Sequence, residues 1–340
     1  MLLLGMNQRT TTPPNSKSKL LQDEAHLNRI VRSLASATFS LLIIYLASRL
    51  MIRSLPGDPA SALMEHMDSS LSLEAVRQEF RLDLPWTTAL KEDLRNLLLH
   101  GDLGRSLHSR RPVVEELAPR ILKSMELAGL ALALGLTGGI SLGLASARKV
   151  PGVKKASAVY TAIATALPAP WIGPMLAWSI GVQLEWAEPS GSILLPSIML
   201  AIGLAAFWTR LIESRVSEAF SSGSAGHPVR TARARGVPEW KVILKYAFAP
   251  VTPALVAVLG TQIGNLMAGS FVAEVLFDWP GMGSAFVDAV LRRDYPMVEA
   301  CVCFSGAAAI LGTRLGDLLQ TLLDPRYHSS GHQPESEPPL

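Results

Sequence analysis

Long stretches with few or no charged residues constrain this chain more than any other feature. A helix needs about 20 apolar residues to cross the hydrocarbon core of a bilayer. Six stretches approach or exceed that length, namely residues 33–48, 127–147, 156–184, 193–209, 247–273 and 299–319. The first becomes long enough if Arg49 and Arg53 extend their aliphatic stems to the interface. The sequence therefore predicts an all-α, polytopic membrane helix bundle with about six transmembrane helices.

The composition supports a membrane protein and excludes several other classes. With 49% hydrophobic and 17% charged residues, the 340-residue chain has too few charges for an ordinary soluble protein. Its net charge of +3 is too small to indicate nucleic-acid binding. The two cysteines, Cys301 and Cys303, point to different sides of a helix, so we interpret them as small packing residues.

Two spans carry residues that disturb a regular apolar helix. The third contains Pro168, Pro170 and Pro174, which remove backbone donors and predict a break or a kink. That break could line a pathway or could serve packing between helices. The last span contains Arg314 and Asp317, which at a spacing of three could pair at the cytoplasmic boundary.

The segments outside the spans differ in texture. Residues 1–30 are polar and predict a disordered leader, and the tail at 323–340 is polar and rich in proline. Residues 54–123 mix acidic and basic side chains and predict an external segment with amphipathic helices, the last of them an interfacial helix at 113–121 that enters the second span.

Basic residues set the expected orientation. The connection between spans two and three has four Lys or Arg and no acid, and residues 210–245 have seven Lys or Arg against three Glu. Residues 1–32 contain five Lys or Arg. Because cytoplasmic loops are enriched in Lys and Arg, we expect these connections and both termini inside, and residues 54–123 outside.

The basic connection at residues 226–249 has local signals for two helices joined by a turn. Gly236 can adopt the left-handed conformation that ends a helix, and Pro238 suits the first turn of the next. Trp240, Ile243 and Tyr246 recur at helical spacing, so the second helix is predicted to have an apolar face and to lead into span five. A positively charged loop that only sets topology is the alternative.

The central part of this connection, Thr231, Ala232, Arg233, Ala234, Arg235 and Gly236, resembles the loop of permease subunits from binding-protein-dependent ABC importers of the oligopeptide, dipeptide and nickel branch. Five further stretches are similar to landmarks of that family and follow its order. They are Leu-Pro-Gly-Asp-Pro-Ala at 55–60, Gly-Asp-Leu-Gly-Arg-Ser at 101–106, Phe-Asp-Trp-Pro-Gly-Met-Gly at 277–283, Arg-Asp-Tyr-Pro at 293–296 and Leu-Asp-Pro-Arg at 323–326. Several such blocks in order are a stronger signal than any one of them.

The resemblance implies a fold and a set of partners. It implies a first transmembrane helix at 31–53, and a MetI-like, ABC type-1 transmembrane domain at 124–322 in the bacterial inner membrane. It also implies ATPase subunits beneath the inner face, a second permease subunit that is identical or homologous, and an external solute-binding protein. In such a system the loop docks into a groove of the ATPase. Arg233 and Arg235 would make polar contacts there, while Ala232 and Ala234 would permit close approach.

The same resemblance leaves the substrate open between peptides, nickel and another small solute. It also has departures. His227 and Pro228 stand where the family commonly has aspartate and tyrosine, and Arg235 stands where lysine is usual. No G-x-x-x-x-G-K-[ST] phosphate loop occurs in the chain, so we expect no cofactor here and ATP bound by the partner subunits.

Two other classes were weighed against a permease. A secondary transporter needs ionisable residues in the membrane, and spans two to five have none in their cores. An intramembrane serine hydrolase could use Ser141, which lies in a G-x-S-x-G pattern, but no histidine falls inside a span to serve as base. We therefore interpret Ser141 and its glycines as small residues for close helix packing, where a bulky residue would overpack. His66, His100 and His108 are interpreted as solvated residues rather than nickel ligands.

Overall fold

The computed structural model of the chain describes residues 35–50, 101–148, 150–221 and 227–323, together with position 32 and six positions between 88 and 99. These ranges are predominantly helical and contain no β-strand, apart from an isolated bridge between Arg105 and Pro112. The predicted leader, residues 54–87 of the predicted external segment, and residues 324–340 of the tail lie outside the described residues, as does the landmark at 55–60.

We number the described helices in chain order. They are α1 (Ala35–Leu50), α2 (Val113–Ala147), α3 (Val153–Ala166), α4 (Ala169–Leu176), α5 (Leu194–Ala219), α6 (His227–Ala234), α7 (Glu239–Lys241), α8 (Thr252–Gly269), α9 (Phe271–Leu276), α10 (Met282–Leu291) and α11 (Tyr295–Leu323). Helix α4 continues as the π-helix Ala177–Gln183. Helix α7 continues as the π-helix Val242–Phe248, and the 3-10 turn Ala249–Val251 joins it to α8.

Most of the predicted spans appear as long apolar helices. Four stretches are long and apolar enough to cross a membrane: Val113–Ala147, Leu194–Ala219, Glu239–Met267 and Tyr295–Leu322. The pair α3 and α4 forms a fifth if the bent pair counts as one span, and α1 is a shorter apolar helix within the described residues. The prediction of a polytopic helix bundle is confirmed.

The third span is broken where the prolines predicted a break. Helix α3 ends at Ala166, and Pro168 then takes an extended conformation (φ −63°, ψ 138°) before α4 begins. The axes of the two helices differ by 107°. Pro168 has no amide hydrogen to continue the helical hydrogen bonds of α3, and its fixed φ suits the start of a helix. This one residue therefore accounts for both the end of α3 and the start of α4.

Two helix ends differ from the sequence prediction because packing extends them. The interfacial helix predicted at 113–121 is the start of α2 rather than a separate element. Its Val113 and Leu117 are fully buried against Met282 and Met297, which holds these turns in line with the span. Helix α5 continues past the predicted end at residue 209, because Ile212 and Val216 are fully buried in the largest core cluster.

Helices α2 and α5 approach each other along a row of glycines. A Cβ atom on Gly135 would lie 2.6 Å from Cβ of Leu204, and one on Gly143 would lie 3.0 Å from Cβ of Ile212. Gly139, between them, faces Cβ of Trp208 with equally little room. The backbones are therefore closer than any larger residue in α2 would allow, as predicted for the glycines of the G-x-S-x-G pattern.

Helices α8 and α11 form a second pair of this kind, with glycines on both sides. A Cβ atom on Gly264 would lie 2.6 Å from Cα of Ala309, and one on Gly312 would lie 2.6 Å from the carbonyl oxygen of Gly260. A Cβ on Gly316 would lie 2.6 Å from the carbonyl oxygen of Ala257. The described part of the chain thus contains two glycine-locked helix pairs, α2 with α5 and α8 with α11.

Helix α1 is fixed to α11 by a polar contact towards each end. Arg49 donates to both carboxylate oxygens of Glu299, at 2.9 and 2.8 Å. Arg314 donates to the hydroxyl of Ser36 at 2.7 Å. The sequence suggested that Arg314 could pair with Asp317 on its own helix, and the structure instead directs it to α1, which gives this intramembrane charge a partner.

Candidate functional site

The connection between α5 and α8 has the helix-turn-helix form that the sequence predicted. Helix α6 ends at Ala234, and Gly236 follows with φ +71°. The amide of Gly236 donates to the carbonyl of Arg233 at 2.9 Å, and the amide of Val237 donates to that of Ala232 at 3.1 Å. These two bonds are the Schellman pattern of helix termination. The left-handed conformation predicted for Gly236 is therefore confirmed. We call residues 227–241 the inner loop, because its Lys and Arg residues predict a position on the inner side of the membrane.

One side of the inner loop is anchored in the protein core. Val229 and Ala232 are buried in the same cluster as Val216 of α5 and Val242 of the following π-helix. Val237 packs against this cluster and completes the hydrophobic contact that accompanies a Schellman turn. Ala232 is thus a packing residue within this chain, although the resemblance implied a part in close approach to a partner.

The other side of the inner loop is exposed and basic. Thr231 is partly buried and its hydroxyl donates to the carbonyl of His227 at 3.0 Å. Ala234 and Arg235 are exposed, and the guanidinium of Arg235 has no hydrogen bond or ion pair with any residue that the structure describes. Among the six loop residues that resemble the family, Arg235 is therefore the one whose charged side chain is exposed and not engaged within the loop.

Arg233 is engaged within the inner loop, which the sequence did not reveal. Its guanidinium donates from Nε to Oε2 of Glu239 at 3.2 Å and from Nη2 to Oε1 at 2.5 Å, and it lies 5.3 Å from the ring centre of Phe220. Hydrogen bonding to this carboxylate raises the pKa of Arg233 above its usual value. The pair joins the end of α6 to the start of α7. Because a turn separates the two residues, helical spacing gave no signal for it.

The apolar face predicted for the second loop helix is only partly correct. Ile243 and Ala247 are buried, and Tyr246 is partly buried. Trp240 is 60% exposed and carries the ammonium of Lys241 at 5.2 Å from its ring centre. Trp240 lies in α7, before the helix changes to π geometry at Val242, so the 3.6-residue spacing used for the prediction does not carry across that change.

Three of the sequence landmarks lie at the opposite end of the molecule, around α9 and α10. Ser106, from the landmark at 101–106, donates to the carboxylate of Asp294, from the landmark at 293–296. The same carboxylate accepts from the amide of Leu107 at 3.1 Å and from that of Met297 at 3.4 Å. Asp294 therefore caps α11 while holding the loop before α2.

The third landmark, at 277–283, packs against the start of α2. The indole of Trp279 donates to the carbonyl of Lys123 at 3.0 Å, and the Lys123 ammonium lies 5.3 Å from its ring centre. The amide of Met282 donates to the hydroxyl of Ser124 at 2.7 Å. We call residues 270–294, which contain α9, α10 and this landmark, the outer hairpin.

Glu274 is the centre of the outer hairpin, and the sequence analysis missed it. Its side chain is fully buried, and its carboxylate accepts from the hydroxyls of Ser124 and Ser270, both at 2.7 Å. It also accepts from the amides of Gly283 at 2.6 Å and Ser284 at 3.2 Å. Four donors satisfy the buried carboxylate from three segments of the chain. The signal available in the sequence was a single acidic residue between the apolar stretch 247–273 and the landmark at 277–283.

The structure gives no support to the serine-hydrolase alternative. Of the histidines considered as nickel ligands, His66 and His100 lie outside the described residues. Ser141 is exposed on α2, on a different side from the glycines that contact α5, and its hydroxyl has no hydrogen bond within the described ranges. The expected overpacking by a bulky residue therefore applies to Gly139 and Gly143 instead of Ser141. No group of three or more His, Cys, Asp or Glu side chains in the described part of the chain could hold a metal ion. Cys301 is a buried packing residue, as predicted.

The fold and the inner loop define a class: a helical membrane permease with an exposed basic loop between two locked helix pairs. Comparison with known proteins gives the family. Residues 135–329 match the family described as the binding-protein-dependent transport system inner membrane component. The glutathione transport system permease protein of Pectobacterium atrosepticum is 32% identical over 305 residues, which cover 88% of this chain and 98% of that protein. The corresponding proteins of Salmonella typhimurium and Escherichia coli (strain K12) are 32% and 30% identical over 307 residues, with the same coverage.

The chain belongs to this family of inner membrane components. It is a multi-pass permease subunit of an ABC importer of the peptide type, as the sequence landmarks predicted. ATP hydrolysis in such a system belongs to an ATPase partner, and a solute-binding protein delivers the cargo. The chain is therefore a transport subunit rather than an enzyme.

Proposed function

We propose that the inner loop docks into a partner ATPase and transmits its closure to the helix bundle. One observation carries this proposal: the loop is closed by the Schellman turn at Gly236, anchored on one side by Val229 and Ala232, and exposed and basic on the other. A rigid knob that presents Arg235 outward can bind a polar groove without reorganising. Arg233 would contact the groove either as part of its ion pair with Glu239 or after that pair has opened.

The connections of the loop supply a path for that motion. On one side, α6 shares a buried cluster with the long helix α5, which is locked to α2 by the glycines described above. On the other side, α7 runs without a break through the π-helix into α8, which is locked to α11. A push on the loop would therefore act on both helix pairs at once, and we propose that their relative movement opens and closes the translocation path.

We further propose that both termini and the inner loop face the cytoplasm, and that the outer hairpin faces the external side. The excess of Lys and Arg in the loops supports this orientation. A second permease subunit, identical or homologous, would complete the path through the domain at 124–322. The external solute-binding protein would dock on the face that carries the outer hairpin, and the partner ATPase subunits would bind the ATP.

For the cargo, we propose a peptide-sized solute. The relatives named above are glutathione permeases, so glutathione is the first candidate. Uptake of radiolabelled glutathione in cells that express the complete transporter, with unlabelled dipeptides or nickel as competitors, tests this. Glutathione uptake that needs this chain supports the proposal. No glutathione uptake above that of cells lacking this chain would contradict glutathione as the cargo, and glutathione uptake abolished by nickel but not by dipeptides would contradict a peptide-sized solute.

The docking proposal is tested by cross-linking from the exposed side of the loop. A cysteine in place of Ala234 should cross-link to the ATPase subunit and should be labelled by a membrane-impermeant reagent only from the cytoplasmic side. A cysteine in place of Arg292 is the matched control, because Arg292 is likewise exposed but lies in the outer hairpin, so it should give no ATPase cross-link. Labelling of position 234 from outside, or equal cross-linking of both positions, would contradict the proposal.

A further inference from the structure

An exposed, mixed basic and apolar face lies where the inner loop turns into the membrane. Trp240 is 60% exposed and Leu244 is 49% exposed, and Lys241 and Lys245 beside them are also exposed. The opposite side of the same segment, Val242, Ile243 and Ala247, is buried in the protein. We call Trp240, Lys241, Leu244 and Lys245 the elbow face.

The length of the helical stretch places the elbow face at the level of lipid headgroups. Glu239–Met267 is a continuous candidate span of 29 residues. At about 1.5 Å per residue it is roughly 43 Å long, about the thickness of a bilayer with its headgroup regions, whereas the hydrocarbon core takes about 20 residues. After Glu239, the only charged residues of this stretch are Lys241 and Lys245. The extra length therefore lies at the end that carries the elbow face.

Among the described residues, no carboxylate neutralises the charge of the elbow face. The carboxylate of Glu239 is bound by Arg233, and no Asp or Glu occurs from residue 240 to residue 273. Neither lysine has a carboxylate partner among the described residues. The contact that Lys241 does make is with the ring of Trp240. An aromatic ring, a leucine and two unneutralised ammonium groups match an interface where acyl chains meet anionic headgroups.

We propose that the elbow face binds an anionic phospholipid of the cytoplasmic leaflet, and that this lipid fixes the position of the second helix of the inner loop. Lys241 and Lys245 bind the phosphate region, while Trp240 and Leu244 contact the upper acyl chain. The occupant is a lipid rather than the ATPase, because the elbow face belongs to the membrane-spanning stretch. The turn at Gly236 separates it from α6. This inference rests on the cytoplasmic orientation proposed above and adds a regulator to the same loop.

The proposal predicts that anionic lipid raises the coupling between permease and ATPase. The complete complex is reconstituted in nanodiscs of phosphatidylcholine alone or mixed with phosphatidylglycerol, and hydrolysis stimulated by the loaded binding protein is measured. We expect a higher rate with phosphatidylglycerol. In Lys241→Gln/Lys245→Gln the ratio of the two rates should fall to one. Each lysine near an anionic surface contributes about a fivefold factor in lipid affinity, so the double variant should retain roughly 30-fold less phosphatidylglycerol at limiting lipid.

The matched control is Lys154→Gln/Lys155→Gln, which removes two exposed lysines from the start of α3, outside the inner loop. It should keep the ratio of the parent protein. A ratio of one in the parent, or an equal loss in both double variants, would overturn the proposal. A loss of co-purified ATPase in both lipid mixtures with an unchanged ratio would make the elbow face an ATPase contact instead. If the parent itself captured no ATPase, the proposed function rather than the lipid site would fail.

Discussion

The inner loop joins α5 of one glycine-locked pair to α8 of the other, whereas the outer hairpin joins α8 to α11 within the second pair. These two segments satisfy their polar groups in opposite ways. In the outer hairpin, the carboxylates of Glu274 and Asp294 are buried and accept hydrogen bonds from this chain alone. In the inner loop, the ion pair between Arg233 and Glu239 is exposed, and the exposed guanidinium of Arg235 has no partner in the described ranges. The difference indicates that the hairpin maintains the frame, whereas the loop keeps polar groups exposed, as the proposed docking on an ATPase requires.

The two arrangements also differ in energy. A buried carboxylate must keep its donors, because a buried polar group left unsatisfied costs about 1–3 kcal/mol and a charged one more. An exposed ion pair contributes only about 0.2–1 kcal/mol. Substitutions in the outer hairpin should therefore lower the stability of the permease. Substitutions in the inner loop should leave that stability nearly unchanged but weaken the coupling to the ATPase.

Glu274→Leu should have the largest effect on stability. It removes the acceptor of four hydrogen bonds from Ser124, Ser270, Gly283 and Ser284, and leaves those buried donors unsatisfied. We expect a loss of at least about 3 kcal/mol and a low yield of folded protein, measured by thermal unfolding in detergent. Glu126→Gln on the exposed side of α2 is the control and should unfold like the parent. A normal melting temperature for Glu274→Leu would show that the hairpin does not depend on this carboxylate.

Gly264→Ala should have the next largest effect. The added methyl group would lie 2.6 Å from Cα of Ala309, so α8 and α11 must separate. Overpacking of this kind costs about 1–3 kcal/mol. Gly269→Ala, at the end of the same helix, meets nothing within 4 Å and should be neutral or slightly stabilising. Equal melting temperatures for the two variants would mean that the helices are not locked at Gly264.

The smallest effect is expected for the exposed ion pair of the inner loop. A double-mutant cycle with Arg233→Gln and Glu239→Gln should give an interaction energy of about 0.2–1 kcal/mol in the isolated permease, decreasing with added salt. Thermal unfolding of the parent, both single variants and the double variant measures it. A value above about 2 kcal/mol, or one insensitive to salt, would place this pair in the class of the outer hairpin instead.

Local signals predicted much of the fold and the turn of the inner loop. Apolar length gave the spans, Pro168 gave the break between α3 and α4, and Gly236 gave the Schellman turn. Each of these depends on a few neighbouring residues, whose conformational preferences are strong. The family landmarks gave the class of transporter, which the comparisons confirmed.

The sequence did not give the polar pairings, because these depend on the tertiary arrangement. Ser124 and Glu274 are separated by 150 positions, and Ser106 and Asp294 by 188. Arg233 and Glu239 are only six positions apart, but a turn of left-handed backbone brings them together. The extension of α2 over Val113 and Leu117 likewise followed from burial against α10 and α11 rather than from local propensity.

The most direct test of the account is substitution of Gly236, whose backbone has φ +71° and whose Cβ position meets nothing within 4 Å. Only the backbone conformation resists a side chain there, at about 1–2 kcal/mol for alanine and more for β-branched valine. We predict that Gly236→Val inserts and accumulates normally but co-purifies less ATPase and loses the hydrolysis stimulated by the loaded binding protein, with Gly236→Ala intermediate. Parental coupling in both variants would contradict the account and leave the inner loop as a topological signal only.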